Sequence, residues 1–192
     1  MGGKSTKEPA VVAAIYFGTT NTGYAFKFAS DDTIYSAFNQ TKVRVPTCVL
    51  LNPDKTLRAF DKKAVDAYDK MSSKEQISHF YYKHFKMLLY KTESRDVNIT
   101  ISDIQGNDMD ALEVFKIVLA HMKRQILQDI KTRKFFNKPM LDQKVQWIIT
   151  VPGILSDFSR NFMRQAAEGA GFIPENTRLV LEPEAASAFV KS

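Results

Sequence analysis

A single cysteine, Cys48, is the first scarcity in this chain. One thiol cannot close an intramolecular disulfide, so the fold does not depend on oxidation and a reducing compartment, cytosolic or nuclear, is expected. Long hydrophobic runs are missing as well. No uninterrupted apolar stretch approaches the ~18 residues of a membrane span, and the N-terminus lacks the apolar core of a signal peptide. No internal repeat, low-complexity tract or long linker interrupts the 192 residues, which argues against solenoid and disordered architectures. A dense basic patch is also lacking. The net charge of +6 and pI near 9.3 are spread along the chain. Only Lys131, Arg133 and Lys134 group tightly, as at the solvated end of a helix, and no nucleic-acid partner is expected.

What is present is an ordinary globular composition, 44% hydrophobic and 25% charged, enough to bury one core or two small ones. The opening MGGKST fits the pattern for N-myristoylation of Gly2, with a flexible tail over residues 1–10 as the plainer reading. Its GKST resembles the end of a phosphate loop, but no strand and no earlier glycine at the required spacing precede it.

The hydrophobic pattern predicts a β-rich start, with runs at Val11 to Phe17, Gly23 to Ala29 and around Thr33 to Phe38. A hairpin is expected where Asn52-Pro53-Asp54-Lys55 separates two β-prone runs. Helical patterns follow in DKKAVDAYDKM and in KEQISHFYYKHFKMLLYK, where Ile77, Phe80, Tyr81, Phe85, Leu88 and Leu89 keep a helical spacing. Residues 97–105 alternate like an exposed strand. Asp108 or Asp110 then caps a long amphipathic helix carrying Leu112, Phe115, Leu119, Met122, Ile126 and Ile130. The last third reads strand, helix, strand, helix: KVQWIITV, a helix from Ser156 to near Gly171, RLVL, and a final helix beginning at Pro183. A meander followed by β-α-β units predicts an α/β fold with a mixed sheet.

Three ordered motifs then carry a resemblance: GTTNTG after an apolar strand, VPGILSDFSRNFMRQAAEGAGF, and VLEPEAASAF. Together they resemble the ATPase domain of the 70-kilodalton heat-shock chaperones, which shares its fold with actin and the sugar kinases. FYYKHFKMLLY is similar to the 12A-like branch of that family. The resemblance runs from Val11 to Ser192 and implies the first lobe of an actin-like, ribonuclease H-like nucleotide-binding domain, with a small inserted subdomain at about 45–108. It also implies that the second Gly-rich phosphate turn, the adenosine-binding segment and a peptide-binding domain fall outside the matched lobe. It further implies ATP or ADP with Mg²⁺ as ligand, a role in chaperoning and the stress response, and protein partners: a second lobe, a co-chaperone, or self-association.

Residue by residue, Gly18-Thr19-Thr20-Asn21 alone reads as a plain β-turn. By resemblance it is the hairpin whose N–H groups and hydroxyls face phosphate oxygens. Lys86 alone reads as one more solvated lysine on a helix, with Lys83 one turn away. The resemblance makes Lys86 the cation beside the γ-phosphate. Glu182 ends a strand before a proline, either as a first-turn carboxylate of the next helix or, by resemblance, as the glutamate near the magnesium and its water. Pro152 and Arg160 match the pair that relays nucleotide state to the surface, though each also has a plain structural reading at a strand end or on a helix.

Tyr16 departs from the pattern. The family has an aspartate there, which holds the hydrated Mg²⁺. A neutral phenol supplies neither charge nor geometry, so loss of the metal site and impaired hydrolysis are expected. The alternative is a tyrosine that simply packs in the sheet. His79 and His84 lie five apart, on different faces of a helix, and form no metal pair. Asn39-Gln40-Thr41 and Asn98-Ile99-Thr100 match a glycosylation pattern that an intracellular chain would not use. Cys48, in an apolar strand, reads as buried rather than nucleophilic. Two functions therefore stand side by side: an ATP-binding lobe, and a non-catalytic interaction module derived from one.

Overall fold

The computed structural model describes residues 9–36, 45–91, 99–133, 142–151 and 156–181. Its main sheet begins with β1 (Val11–Phe17), β2 (Asn21–Phe28) and β3 (Ile34–Ser36), an antiparallel meander, with the short β4 (Val45–Pro46) also paired to β2. On the other side of β1 run β10 (Val145–Val151) and then β11 (Thr177–Leu181), both parallel to it. The order β11-β10-β1-β2-β3 is a mixed sheet, an antiparallel meander extended by parallel strands. It is the mixed α/β sheet that the meander and the β-α-β units predict.

Strand alternation makes the core. Val11, Ala13, Ile15 and Phe17 of β1 are all buried on one face, as period two requires. Over that face lies α4 (Ala111–Thr132), whose Phe115 meets the Phe17 ring edge-on at 5.6 Å and the Phe162 ring of α5 (Asp157–Gly169) at 5.0 Å. Asp110, not Asp108, caps α4: its carboxylate accepts from the N–H groups of Leu112 at 2.7 Å and Glu113 at 3.3 Å. Ser156 caps α5 as expected, accepting from the Ser159 N–H at 3.2 Å. Gly171, at φ 84°, stops it, with Phe172 N–H returning to the Ala167 carbonyl at 3.0 Å.

A second, smaller sheet has the order β6-β5-β7, built from β5 (Cys48–Leu51), β6 (Leu57–Phe60) and β7 (Phe80–Lys83). The β5–β6 connection is the expected Asn52–Lys55 turn, with Lys55 at φ 66°. Two short helices, α1 (Lys62–Asp69) and α2 (Ser73–Ser78), precede β7. The face of β5 carrying Cys48 and Leu50 packs with Ala64 and Tyr68 of α1, while Val49 and Leu51 join the main core. A two-stranded ribbon, β8 (Thr100–Ser102) and β9 (Asp108–Asp110), leads into α4.

Here the structure corrects the helix expected over residues 74–91. α2 ends at Ser78, His79 is extended, Phe80–Lys83 pair with β5, and helical turns resume only at Phe85–Met87 and in α3 (Leu88–Lys91). Tyr81 stacks on Tyr68 at 4.4 Å while Tyr82 buries into the main core. Adjacent residues facing opposite sides is strand geometry, and Ile77, placed on the apolar stripe by the helical spacing, is 70% exposed. His79 and His84 therefore share no helix. Smaller shifts are a β2 that starts at Asn21 rather than Gly23 and a β3 described only over Ile34–Ser36. Pro152, Glu182, the helix expected from Pro183, Gly2, Lys134, Asn39-Gln40-Thr41 and Asn98 lie outside the described residues. Among those described, no helix is long and apolar enough to cross a membrane.

Candidate functional site

The three mutually parallel strands β1, β10 and β11 end at one edge of the main sheet, at Phe17, Val151 and Leu181. Carboxyl edges of this kind are where α/β sheets hold ligands. Gly18-Thr19-Thr20-Asn21 is the turn that leaves this edge. The Gly18 N–H donates to the Asn21 carbonyl at 3.0 Å, which leaves Thr19 and Thr20 at the tip, Thr20 exposed.

Gly18 is required by space. A β-carbon there would lie 2.4 Å from the Asn21 carbonyl oxygen and 2.9 Å from both Cε1 and the hydroxyl of Tyr16. Tyr16 lies on the face of β1 opposite Phe17, and its ring runs forward along the turn instead of standing in the sheet. The phenol thus occupies the flank of the very turn whose backbone is the candidate anion cradle.

Behind the turn stands Thr47, a residue with no periodic signal in the sequence. Its hydroxyl donates to the Gly18 carbonyl at 2.8 Å and lies 2.6 Å from the Thr22 hydroxyl, and its N–H donates to the Thr20 carbonyl at 2.9 Å. Thr22 and Thr47 are both buried. A hydroxyl after Pro46 at the entry to an apolar strand was the one available clue to it.

Lys86 overturns the solvated reading, since its side chain is fully buried in the turn Phe85–Met87. The ammonium lies 5.1 Å from the centroid of the Phe17 ring, one residue before Gly18. A ring face attracts a cation in this way, and a buried charge needs such compensation. The alternative in register, Lys83, is exposed on β7 with its ammonium 5.0 Å from the Tyr81 ring. Arg160 is exposed on the first turn of α5, its N–H donating to the Ser156 carbonyl at 3.1 Å. The structure thus sets Tyr16 against the Gly18 turn, places Lys86 over Phe17 on the opposite, core face of β1, and leaves Arg160 apart on α5.

Among the described residues no cluster of three or more His, Cys, Asp or Glu side chains could hold a metal ion. Cys48 is buried, and that burial pushes its thiol pKa up, away from nucleophilic use. A groove of about 430 Å³ near Arg58, Lys63, Asp66, Lys70 and Glu75 opens between β6, α1 and α2, on a different part of the surface.

No protein-family model matches the chain. Human heat shock 70 kDa protein 12B is 33% identical to it over 196 aligned positions, covering 95% of this chain and 28% of that protein. Over most of its own length this chain is similar to one part of that protein. Human and mouse heat shock 70 kDa protein 12A are each 32% identical over 193 positions, 94% of this chain and 28% of theirs. The chain therefore spans somewhat under a third of the length of the heat shock 70 kDa protein 12 relatives it matches. A solved structure, MreB5 of Spiroplasma citri bound to ADP, covers 90% of the chain at 15% identity with a TM-score of 0.48, the chain covering 37% of it.

Proposed function

We propose that residues 11–192 form a phosphate-holding lobe of a heat-shock-70-type nucleotide-binding domain, with magnesium-dependent hydrolysis impaired by Tyr16. In this reading Gly18, Thr19, Thr20 and Asn21 offer backbone N–H groups and hydroxyls to the phosphates of ATP or ADP. Lys86 supplies positive charge beside the γ-phosphate, Glu182 serves the catalytic edge, and Pro152 and Arg160 relay nucleotide state outward. Residues 45–108 are the small subdomain and 1–10 a tail. The protein acts in the cytoplasm, with nucleotide and protein partners in chaperoning and stress response.

The observation that carries the reading is the Tyr16 ring against Gly18. Mg²⁺ favours carboxylate and water oxygens in octahedral geometry, and a neutral phenol at this position does not fit it. Phosphate binding through the backbone does not need that carboxylate, so nucleotide affinity and magnesium dependence separate.

Calorimetric titration with ATP, with and without Mg²⁺, on the chain and on Tyr16→Asp tests this. Magnesium-independent binding by the chain, becoming magnesium-strengthened in the variant, is expected. Strong magnesium-dependent hydrolysis by the unaltered chain would sink the role given to Tyr16.

A second reading, a non-catalytic protein-interaction module, draws on the other face of the main sheet. There Val12 is 39% exposed and Ile34, beside Lys27, is 55% exposed. Silence toward nucleotide in both proteins would favour it.

A further inference from the structure

Thr47 makes three hydrogen bonds, and their directions can be worked out. Its one hydroxyl hydrogen goes to the Gly18 carbonyl at 2.8 Å. The 2.6 Å contact to Thr22 must then be donated by Thr22. A relay results, Thr22 hydroxyl to Thr47 hydroxyl to Gly18 carbonyl, sealed from solvent at both threonines. The Thr47 N–H meanwhile holds the Thr20 carbonyl at 2.9 Å.

Both gripped carbonyls belong to the turn, at alternate positions, and no peptide in the described residues is cis. In a trans peptide the C=O and the following N–H point in opposite directions. Anchoring the Gly18 and Thr20 carbonyls toward Thr47 therefore aims the Thr19 and Asn21 N–H groups away from it. Two N–H groups aimed to the same side of a turn offer an anion a pair of donors. The hydroxyl relay also polarises the Gly18–Thr19 peptide, which strengthens Thr19 N–H as a donor.

We infer that Thr47 is a positioning residue for polyphosphate: it orients the Gly18–Asn21 peptides so that the Thr19 and Asn21 N–H groups face the phosphate chain. This rests on the nucleotide-binding reading above. Thr47 also leads directly into β5, whose partner β7 runs on into the turn carrying Lys86. One residue thus ties the turn to the segment that delivers the cation.

The test titrates the 192-residue chain, Thr47→Val, Thr47→Ser and Thr22→Val with tripolyphosphate and with ATP, with thermal melts alongside. Thr47→Val keeps the shape and the backbone N–H but lacks the hydroxyl, and is expected to weaken both ligands about tenfold. Thr47→Ser should restore affinity to within about threefold, and Thr22→Val, which removes only the relay donor, should cost about threefold. Thr47→Val that melts earlier yet binds tripolyphosphate as the unaltered chain does would overturn the inference and leave Thr47 a packing residue. Should Thr47→Val not fold, unchanged binding by Thr22→Val overturns the relay. An unaltered chain that binds neither ligand overturns the nucleotide reading itself, a result separate from any behaviour of the variants.

Discussion

β1 and β5 are both buried strands, but they are buried in different ways. β1 has one face in the core, against α4, and another that carries Val12 and Tyr16. All four residues of β5 are buried, Cys48 and Leu50 beneath α1, Val49 and Leu51 in the main core. The small sheet therefore owes one of its two apolar faces to the large one. Four-residue strands paired in a three-stranded sheet bury little by themselves, so β5 to β7 should be ordered only while the main core is intact. The candidate site lies on the seam: the Gly18 turn belongs to the large sheet, Thr47 and Lys86 to the segment of the small one.

Breaking the seam should have the largest effect. Phe115 touches the rings of Phe17, Phe85 and Phe162, so it joins β1, the Lys86 turn and α5. Phe115→Ala is expected to cost about 3–5 kcal/mol in urea denaturation and to lower the unfolding of both sheets together. Two separate transitions would show that the small sheet stands alone.

Gly18→Ala comes next. The added methyl meets a carbonyl oxygen at 2.4 Å and the Tyr16 ring at 2.9 Å, so the hairpin must shift, at about 1–3 kcal/mol. Pairing the change with Tyr16→Ala should recover part of the loss, because one of the two clashes is then gone, and equilibrium denaturation of the single and double variants would measure how much.

His121 sharpens the comparison through pH. It lies between the sheets, its ring 5.6 Å from that of Phe60, and burial first, then the neighbouring Arg124, hold its pKa below the usual value. Asp61 opposes that shift and Lys63 adds to it. At neutral pH neither folded nor unfolded imidazole carries a proton and the stability is intact. As pH falls through the ordinary histidine range, about 6.5, the unfolded chain takes up a proton that the folded chain resists, and stability drops. Denaturation midpoints at pH 7.5 and 5.5 should differ less in His121→Phe than in the unaltered chain.

The smallest effect is expected at Tyr82, whose buried hydroxyl has no hydrogen-bond partner among the described residues. Tyr82→Phe removes a desolvated polar group from the seam, so stability should stay level or rise by up to about 1 kcal/mol. A clear loss in thermal melting would mean that the hydroxyl is satisfied in solution.

Much of the fold was legible because its signals are local. The single-faced alternation of β1, the turn residues Asn52 to Lys55, the cap Ser156, a cap at Asp108 or Asp110 and the stop at Gly171 each act within a few residues of themselves. β7 was not legible. Aromatic residues at 80, 81, 82 and 85 fit a helical stripe as well as a strand, and pairing with β5 decided between them. The same ambiguity hid the burial of Lys86, because a lysine's environment depends on which element its neighbours form. In the candidate site, the turn itself was readable from its glycine and threonines, whereas Thr47 acts across a separation of 29 residues from Gly18.

The sequence by itself determined the mixed α/β class, the turn at Gly18, the cap at Ser156 and the presence of a tyrosine two residues before that turn. Each follows from spacing, backbone freedom or side-chain chemistry that neighbours in the chain already express. Only the tertiary structure decided that Tyr16 lies along Gly18, that Lys86 is buried over Phe17, and that Thr47 holds the turn. Those depend on contacts between distant segments, where competing local conformations differ by little and packing of the shared core selects one of them.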